Sequence, residues 1–205
     1  MVGTKEIRAL EFECRAEEEH PGRITGRAIV TGKRTNLGPF DEVIEPEALK
    51  KTDLRDVRLL INHNVDMVPL ARSRNNNENS TMQLTVDEDG NLDIRADLDT
   101  EHNADAAALL SAIIRGDISG MSFMMSVRGE AWDDIDSDHP TRHITDIDKV
   151  FEVSAVTWPA YAATRLHARG LPEALEGAEA ALESEREKLR QIERRRKRLK
   201  LLTEV

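Results

Sequence analysis

Gly120-Met121-Ser122-Phe123-Met124-Met125-Ser126-Val127 is the stretch on which the reading of this chain turns. In a β-strand successive side chains point to opposite faces. Met121, Phe123, Met125 and Val127 then form one apolar face, and Ser122, Met124 and Ser126 the other. The first face is core. Ser122 points away from it at the start of the strand, straight after a glycine turn. A nucleophile needs that placement, open to a cleft yet held by a rigid element. An ordinary solvent-facing serine fits the same pattern.

The neighbouring segments read the same way. Ile24 to Val30 and Val57-Arg58-Leu59-Leu60-Ile61 predict strands, the second apolar enough to be buried on both sides. Met82 to Val86 and Leu92 to Leu98 flank Asp87-Glu88-Asp89-Gly90-Asn91, a hairpin turn with glycine where positive φ is needed. Strands are also expected from Met121 to Val127 and from Lys149 to Trp158, separated by the acidic loop Asp133 to Asp138. One internal helix is predicted over Asn103 to Arg115, with Asn103 as its cap and Gly116 just past its end. A helical turn fits Pro46 to Lys50. The expected fold is α+β and mostly β.

The 205 residues carry a net charge of −10, and 39% are hydrophobic but only 3% aromatic, so Leu, Ile, Val, Met and Ala must build the core. Residues 171–205 hold nine basic and eight acidic side chains, leaving 20 and 31 for residues 1–170. A body, 1–170, and a charged helical tail, 171–205, are therefore expected to meet near Arg169-Gly170-Leu171-Pro172. Leu175, Leu182 and Leu189 repeat every seven residues, with Ile192 and Leu199 on a second row. Glu185 and Arg196 interrupt the seam, which leaves a weak coiled-coil signal. No run of about 18 apolar residues occurs, which argues against a membrane span. No apolar signal-peptide core follows Met1. The single Cys14 excludes a disulfide framework, fits a reducing compartment, and suits a small buried apolar position.

Two further residues stand out chemically. His63 lies where an apolar strand runs into an Asn-rich turn, Asn62-His63-Asn64. Such a histidine can act as a general base, or simply bond nearby backbone. Glu152 lies in Val150-Phe151-Glu152-Val153-Ser154-Ala155-Val156. Phe151, Val153 and Ala155 share one face there, and Val150, Glu152, Ser154 and Val156 the other. A carboxylate in so apolar a strand needs a partner. An imidazole N–H, an arginine, or water at a sheet edge would each serve.

His139 and His143 sit among Asp133, Asp134, Asp136 and Asp138, but Pro140 breaks any helix that would align them on a metal. The basic run Arg194 to Arg198 lacks interleaved aromatics, and the chain is acidic overall, which together argue against nucleic-acid binding. There is no P-loop and no dinucleotide fingerprint, so neither cofactor nor metal is expected. Trp132 and Trp158 read as packing anchors.

Taken in order, Asn62-His63-Asn64, Gly120-Met121-Ser122-Phe123, and Glu152-Val153-Ser154 with Pro159-Ala160-Tyr161 resemble the prohead serine proteases of tailed bacteriophages. Gly26 to Val30, Phe40 to Ile44, Leu70-Ala71-Arg72 and the Gly90 hairpin fall in the same order, so the resemblance spans roughly residues 5–168. It implies a fold similar to the herpesvirus assemblins, a closed or partly open β-barrel with flanking helices. It also implies an endopeptidase of the host cytoplasm, packed inside the assembling prohead. Its substrates would be the major capsid protein, its scaffold segment, and the protease itself, which could form a homo-oligomer.

By position, Ser122 carries over as nucleophile, His63 as general base, and Glu152 as the acidic third member. Assemblins use a second histidine there, which makes His143 the competing third member. The resemblance also calls for an oxyanion donor, backbone N–H groups or an arginine. Arg128 lies about 20 Å along the strand from Ser122, too far to serve. The charged tail fits a helix that recruits the protease to the shell, or one trimmed by self-cleavage. Three rivals remain: an inactive assembly factor of the same fold, a metal hydrolase built on His63, His139 and His143, and a tail-driven nucleic-acid binder.

Overall fold

The computed structural model describes residues 5–10, 14–157 and 173–203. Trp158, Pro159-Ala160-Tyr161 and the body–tail junction at Arg169 to Pro172 lie outside the described residues. Eleven strands are described: β1 (Lys5–Leu10), β2 (Cys14–Ala16), β3 (Arg23–Ile29), β4 (Arg34–Asn36), β5 (Asp41–Ile44), β6 (Asp56–Ile61), β7 (Ala71–Arg74), β8 (Met82–Val86), β9 (Leu92–Asp97), β10 (Gly120–Asp133) and β11 (Thr141–Val156). Two helices join them, α1 (Ala104–Arg115) and α2 (Glu173–Thr203).

β10 and β11 are 14 and 16 residues long and form one long antiparallel hairpin. Both exceed the strands expected from the sequence. Residues 128–133 and 141–148 are polar enough to read as loop, yet the ladder runs on through them to Asp133↔Thr141. The acidic stretch thereby shrinks to the tip of the hairpin.

β11 also directs the rest of the sheet. Its first half pairs in parallel with β5 and its last turn of residues pairs in parallel with β6. The seven-stranded sheet therefore forks. Its main path runs β1-β10-β11-β5-β4, and β6 and β7 branch from the far end of β11. Arg8 of β1 bonds Glu42 of β5 across the two intervening strands, so the sheet is strongly curled. No ladder joins β1 to β4, however, and the expected barrel does not close. A second sheet, β2-β3-β9-β8, packs over the apolar face of the first.

That face is the alternation read from the sequence. Met121, Phe123 and Met125 are fully buried, in one cluster with Leu59, Val153 and Ala155 from the same sheet and Ile24, Met82, Leu92 and Ala96 from the other. One detail departs from simple alternation. Met124 pairs with Glu152 but Met125 pairs with Val150, so Phe151 is a bulged residue without a partner. The bulge turns Val150 into the core, opposite the face on which strict alternation would place it. Phe151 is left half-buried, with the Lys5 ammonium 4.8 Å from its ring.

The predicted local signals hold elsewhere. Asn103 caps α1 by accepting from the Asp105 and Ala106 N–H groups, and Gly116 ends the helix in the left-handed region. Pro46 to Lys50 forms successive hydrogen-bonded turns and no helix. Gly90 has φ +86°, and a Cβ there would lie 2.1 Å from the Pro46 carbonyl oxygen, so the hairpin needs glycine twice over. Cys14 is buried, and burial pushes its thiol up to about 12. Trp132 packs edge-on against Phe40 at 5.2 Å.

The tail is a 31-residue helix whose near half packs on the body. Ala178 and Leu182 are buried, and Arg186 donates to the Ile135 and Ser137 carbonyls at the hairpin tip. Its far half, with Ile192, the basic run and Leu199, is exposed.

Candidate active site

Ser122 is the third residue of β10, flanked by Ala9 of β1 and Ser154 of β11. Glu152 lies on β11 between Met124 and Arg58 of β6. β6 ends at Ile61, and the chain then turns through two left-handed residues, Asn62 (φ +49°) and His63 (φ +57°). Non-glycine residues adopt this conformation at a cost of roughly 1–2 kcal/mol each, asparagine more readily than most.

The end of β11 holds the turn in place. The Asn62 N–H donates to the Ala155 carbonyl at 3.0 Å, and the Asn62 amide exchanges hydrogen bonds with Thr157. The His63 N–H donates to Ser154 Oγ at 3.1 Å. These contacts swing the imidazole back over β11 and β10. His63 Nδ1 then lies 2.6 Å from Glu152 Oε1, and Nε2 lies 2.5 Å from Ser122 Oγ.

An ionised carboxylate only accepts hydrogen bonds, so Nδ1 carries the proton and Nε2 presents its lone pair to the serine. The second carboxylate oxygen, Oε2, accepts from Ser154 Oγ at 2.5 Å. The Ser122 hydroxyl has another acceptor besides His63, the Arg8 carbonyl at 2.8 Å. Ser122 and Ser154 are fully buried, and Glu152 nearly so. The serine expected to be open to a cleft is therefore covered.

Serine, imidazole and carboxylate thus stand in one hydrogen-bonded line. Such a line moves a proton off a hydroxyl and stabilises the resulting imidazolium, which is the equipment of acyl transfer.

His143 is far from this line. Its Nδ1 lies 2.7 Å from Glu45 Oε1, and its ring sits on the half of β11 that pairs with β5. His139 bonds Asp41 and Asn36. His63, His139 and His143 therefore engage three different carboxylates and do not converge. Among the described residues no group of three His, Cys, Asp or Glu side chains is placed to hold a metal ion. Arg128 is occupied by Asp146 and Asp148.

Sequence reasoning overlooked Ser154 as a participant, along with Asn62, Thr157 and the Arg8 carbonyl. For Ser154 a signal existed, because the alternation of β11 put it on the same face as Glu152. For the Arg8 carbonyl there was none, since a backbone acceptor leaves no trace in residue type.

Residues 10–175 match the family model of the caudovirus prohead serine proteases. This chain belongs to that family. Membership in the prohead proteases supports a phage protease role, hydrolytic and tied to capsid maturation. No curated protein and no solved structure matches the chain. Among the described residues no helix is long and apolar enough to cross a membrane.

Proposed function

We propose that this prohead protease is a serine endopeptidase in which Ser122 is the nucleophile, His63 the general base and Glu152 the residue that orients it. The observation that carries the reading is the line Ser122 Oγ–His63–Glu152, with 2.5 and 2.6 Å links, in a chain of a serine protease family.

His63 Nε2 takes the hydroxyl proton as Ser122 Oγ attacks the scissile carbonyl. Glu152 keeps the proton on Nδ1, and so keeps Nε2 basic, and its charge stabilises the imidazolium. His63 then delivers the proton to the leaving amine. Water, activated by the same imidazole, hydrolyses the acyl-enzyme. Because Ser122 has no accessible surface, a peptide must displace what covers it before attack. The Ser122 proton has two acceptors at rest. Productive attack directs it to His63 rather than to the Arg8 carbonyl.

The substrates proposed are extensions of the major capsid protein, its scaffold segment, and the protease itself, cut inside the assembling prohead. Co-expression of wild type and Ser122→Ala with the cognate capsid protein, read by mass spectrometry of the chains, tests this. Trimmed capsid protein with wild type and full-length chains with the variant are expected. Equal, uncut masses from both would leave an assembly factor of the same fold. Cutting by both would remove Ser122 as nucleophile.

A further inference from the structure

Ser154 has no assigned role, yet it touches both His63 and Glu152. Its single hydroxyl accepts the His63 backbone N–H at 3.1 Å and donates to Glu152 Oε2 at 2.5 Å. Glu152 Oε1 in turn takes the His63 Nδ1 proton at 2.6 Å. The bonds form a closed cycle that leaves His63 at its backbone and returns to it at its ring, through Ser154 and Glu152. A hydroxyl has one proton, which here goes to Glu152, so His63 donates at both ends of the cycle and the carboxylate accepts at both oxygens. The cycle also spans two strained features: a histidine in the left-handed region, and a carboxylate almost wholly out of water.

We infer that Ser154 is the positioning residue of this site, fixing the rotation of the Glu152 carboxylate and the left-handed backbone of His63 together. The inference rests on the protease reading for its kinetic consequence, but not for its geometry. Without the hydroxyl, Oε2 becomes a buried anionic oxygen lacking its partner, and nothing else in the cycle ties the backbone of His63 to its own ring.

Two consequences follow from the chemistry. Loss of orientation lowers turnover without changing how the peptide docks, since Ser154 faces the base and not the substrate. Loss of donation concentrates negative charge on Oε1, so the imidazole holds its proton to higher pH. The nearest charged neighbour in register with Glu152 is Arg58, which is drawn away by Asp56 at 3.3 Å and does not replace the lost donor. The acid side of the pH–activity profile therefore moves upward in Ser154→Ala.

The experiment uses the full chain and a capsid-protein peptide bearing a cut site found by mass spectrometry. Ser154→Ala is expected to lower kcat roughly ten- to a hundredfold, the range for a hydrogen bond to a charged group. KM should stay unchanged and the acid limb should shift to higher pH. Ser154→Thr, which keeps the hydroxyl, is expected to restore both. Ser154→Cys keeps the volume and weakens the donor, and should move kcat and the limb in the same direction if the alanine variant does not fold. A drop in kcat with an unmoved acid limb, or no drop at all, would overturn the inference.

A second readout needs no turnover. In proton NMR the His63 Nδ1 proton should give a far-downfield signal in Ser122→Ala that is lost or displaced in Ser122→Ala/Ser154→Ala. If the wild type cuts nothing, the protease reading fails while this signal still decides the role of Ser154. An identical signal in both would remove that role.

Discussion

The line Ser122–His63–Glu152–Ser154 and the cluster Glu6–Arg8–Glu42–Glu130–Arg142 both draw on β10 and β11, and both lie largely out of water. They are wired differently. In the first, the Glu152 carboxylate meets the His63 imidazole and the Ser154 hydroxyl, and the imidazole meets the Ser122 hydroxyl. In the second, two guanidiniums are shared among three carboxylates. Arg142 donates to Glu6 at 2.6 and 2.9 Å, to Glu42 at 3.0 Å and to Glu130 at 2.8 Å, and Arg8 bridges Glu6 and Glu42. Guanidinium protons do not leave at any accessible pH. The two arginines are thus fixed in charge and fasten the β1 edge to β5, whereas every link of the site carries a proton that can move.

The largest expected effect tests the mobile side. Glu152→Gln keeps shape and the Ser154 contact but places an amide where Nδ1–H needs an anion. It should reduce kcat roughly a thousand- to ten-thousandfold, as for a triad with the wrong tautomer. Thermal unfolding should stay close to wild type. A variant that cuts within tenfold of wild type would mean that Glu152 is only a buried carboxylate beside the histidine.

Arg142→Met tests the fixed side. It leaves Glu6, Glu42 and Glu130 with only Arg8 between them. Breaking a buried ionic group from one side costs about 3–5 kcal/mol, to be read in urea unfolding. Below its transition the variant should still cleave, because Arg142 bonds no residue of the site. An unchanged unfolding midpoint would show that the cluster contributes nothing net to stability. Cleavage lost in a folded variant would show that the two regions are coupled through β1.

Sequence reading reached these two regions unequally. The candidate site was legible through the family resemblance, since the residues alone left Ser122 a solvent-facing serine, His63 a turn histidine and Glu152 a carboxylate with several possible partners. The cluster was not. Glu6 and Arg8 alternate with apolar residues as solvent-facing charges do, Glu42 and Arg142 sit beside other polar residues, and only the curl of the sheet brings the four together inside. The same curl stops short of the barrel that the resemblance implied. Alternation shows that a sheet has an inside, but the fork of β11 between β5 and β6 decides whether its edges meet. The bulge at Phe151 escaped for a related reason, since strict alternation assumes that every residue has a partner.

The smallest effect concerns how the fixed cluster responds to acid. Burial alone would raise the Glu6 carboxyl, but hydrogen bonds and charge from Arg142, with the charge of Arg8, outweigh it and hold the group below its ordinary value. A carboxyl lowered in the folded state adds stability that is fully present above its unfolded value of about 4.3, and that fades as pH falls through the lower folded value. One such group changes stability by at most about 1.4 kcal/mol per pH unit in that window. Half-buried carboxyls held down by arginines, such as Asp56 and Asp146, act in the same direction, so the acid slope of the wild type is not diagnostic by itself. The difference between wild type and Glu6→Gln is. Measured by urea unfolding from pH 7 to pH 3, it should be flat down to about pH 5 and then shrink steadily, because Glu6 becomes neutral, like its replacement. A difference that stays constant to pH 3 would mean that Glu6 stabilises the β1 edge by shape and hydrogen bonding, with no part played by its charge.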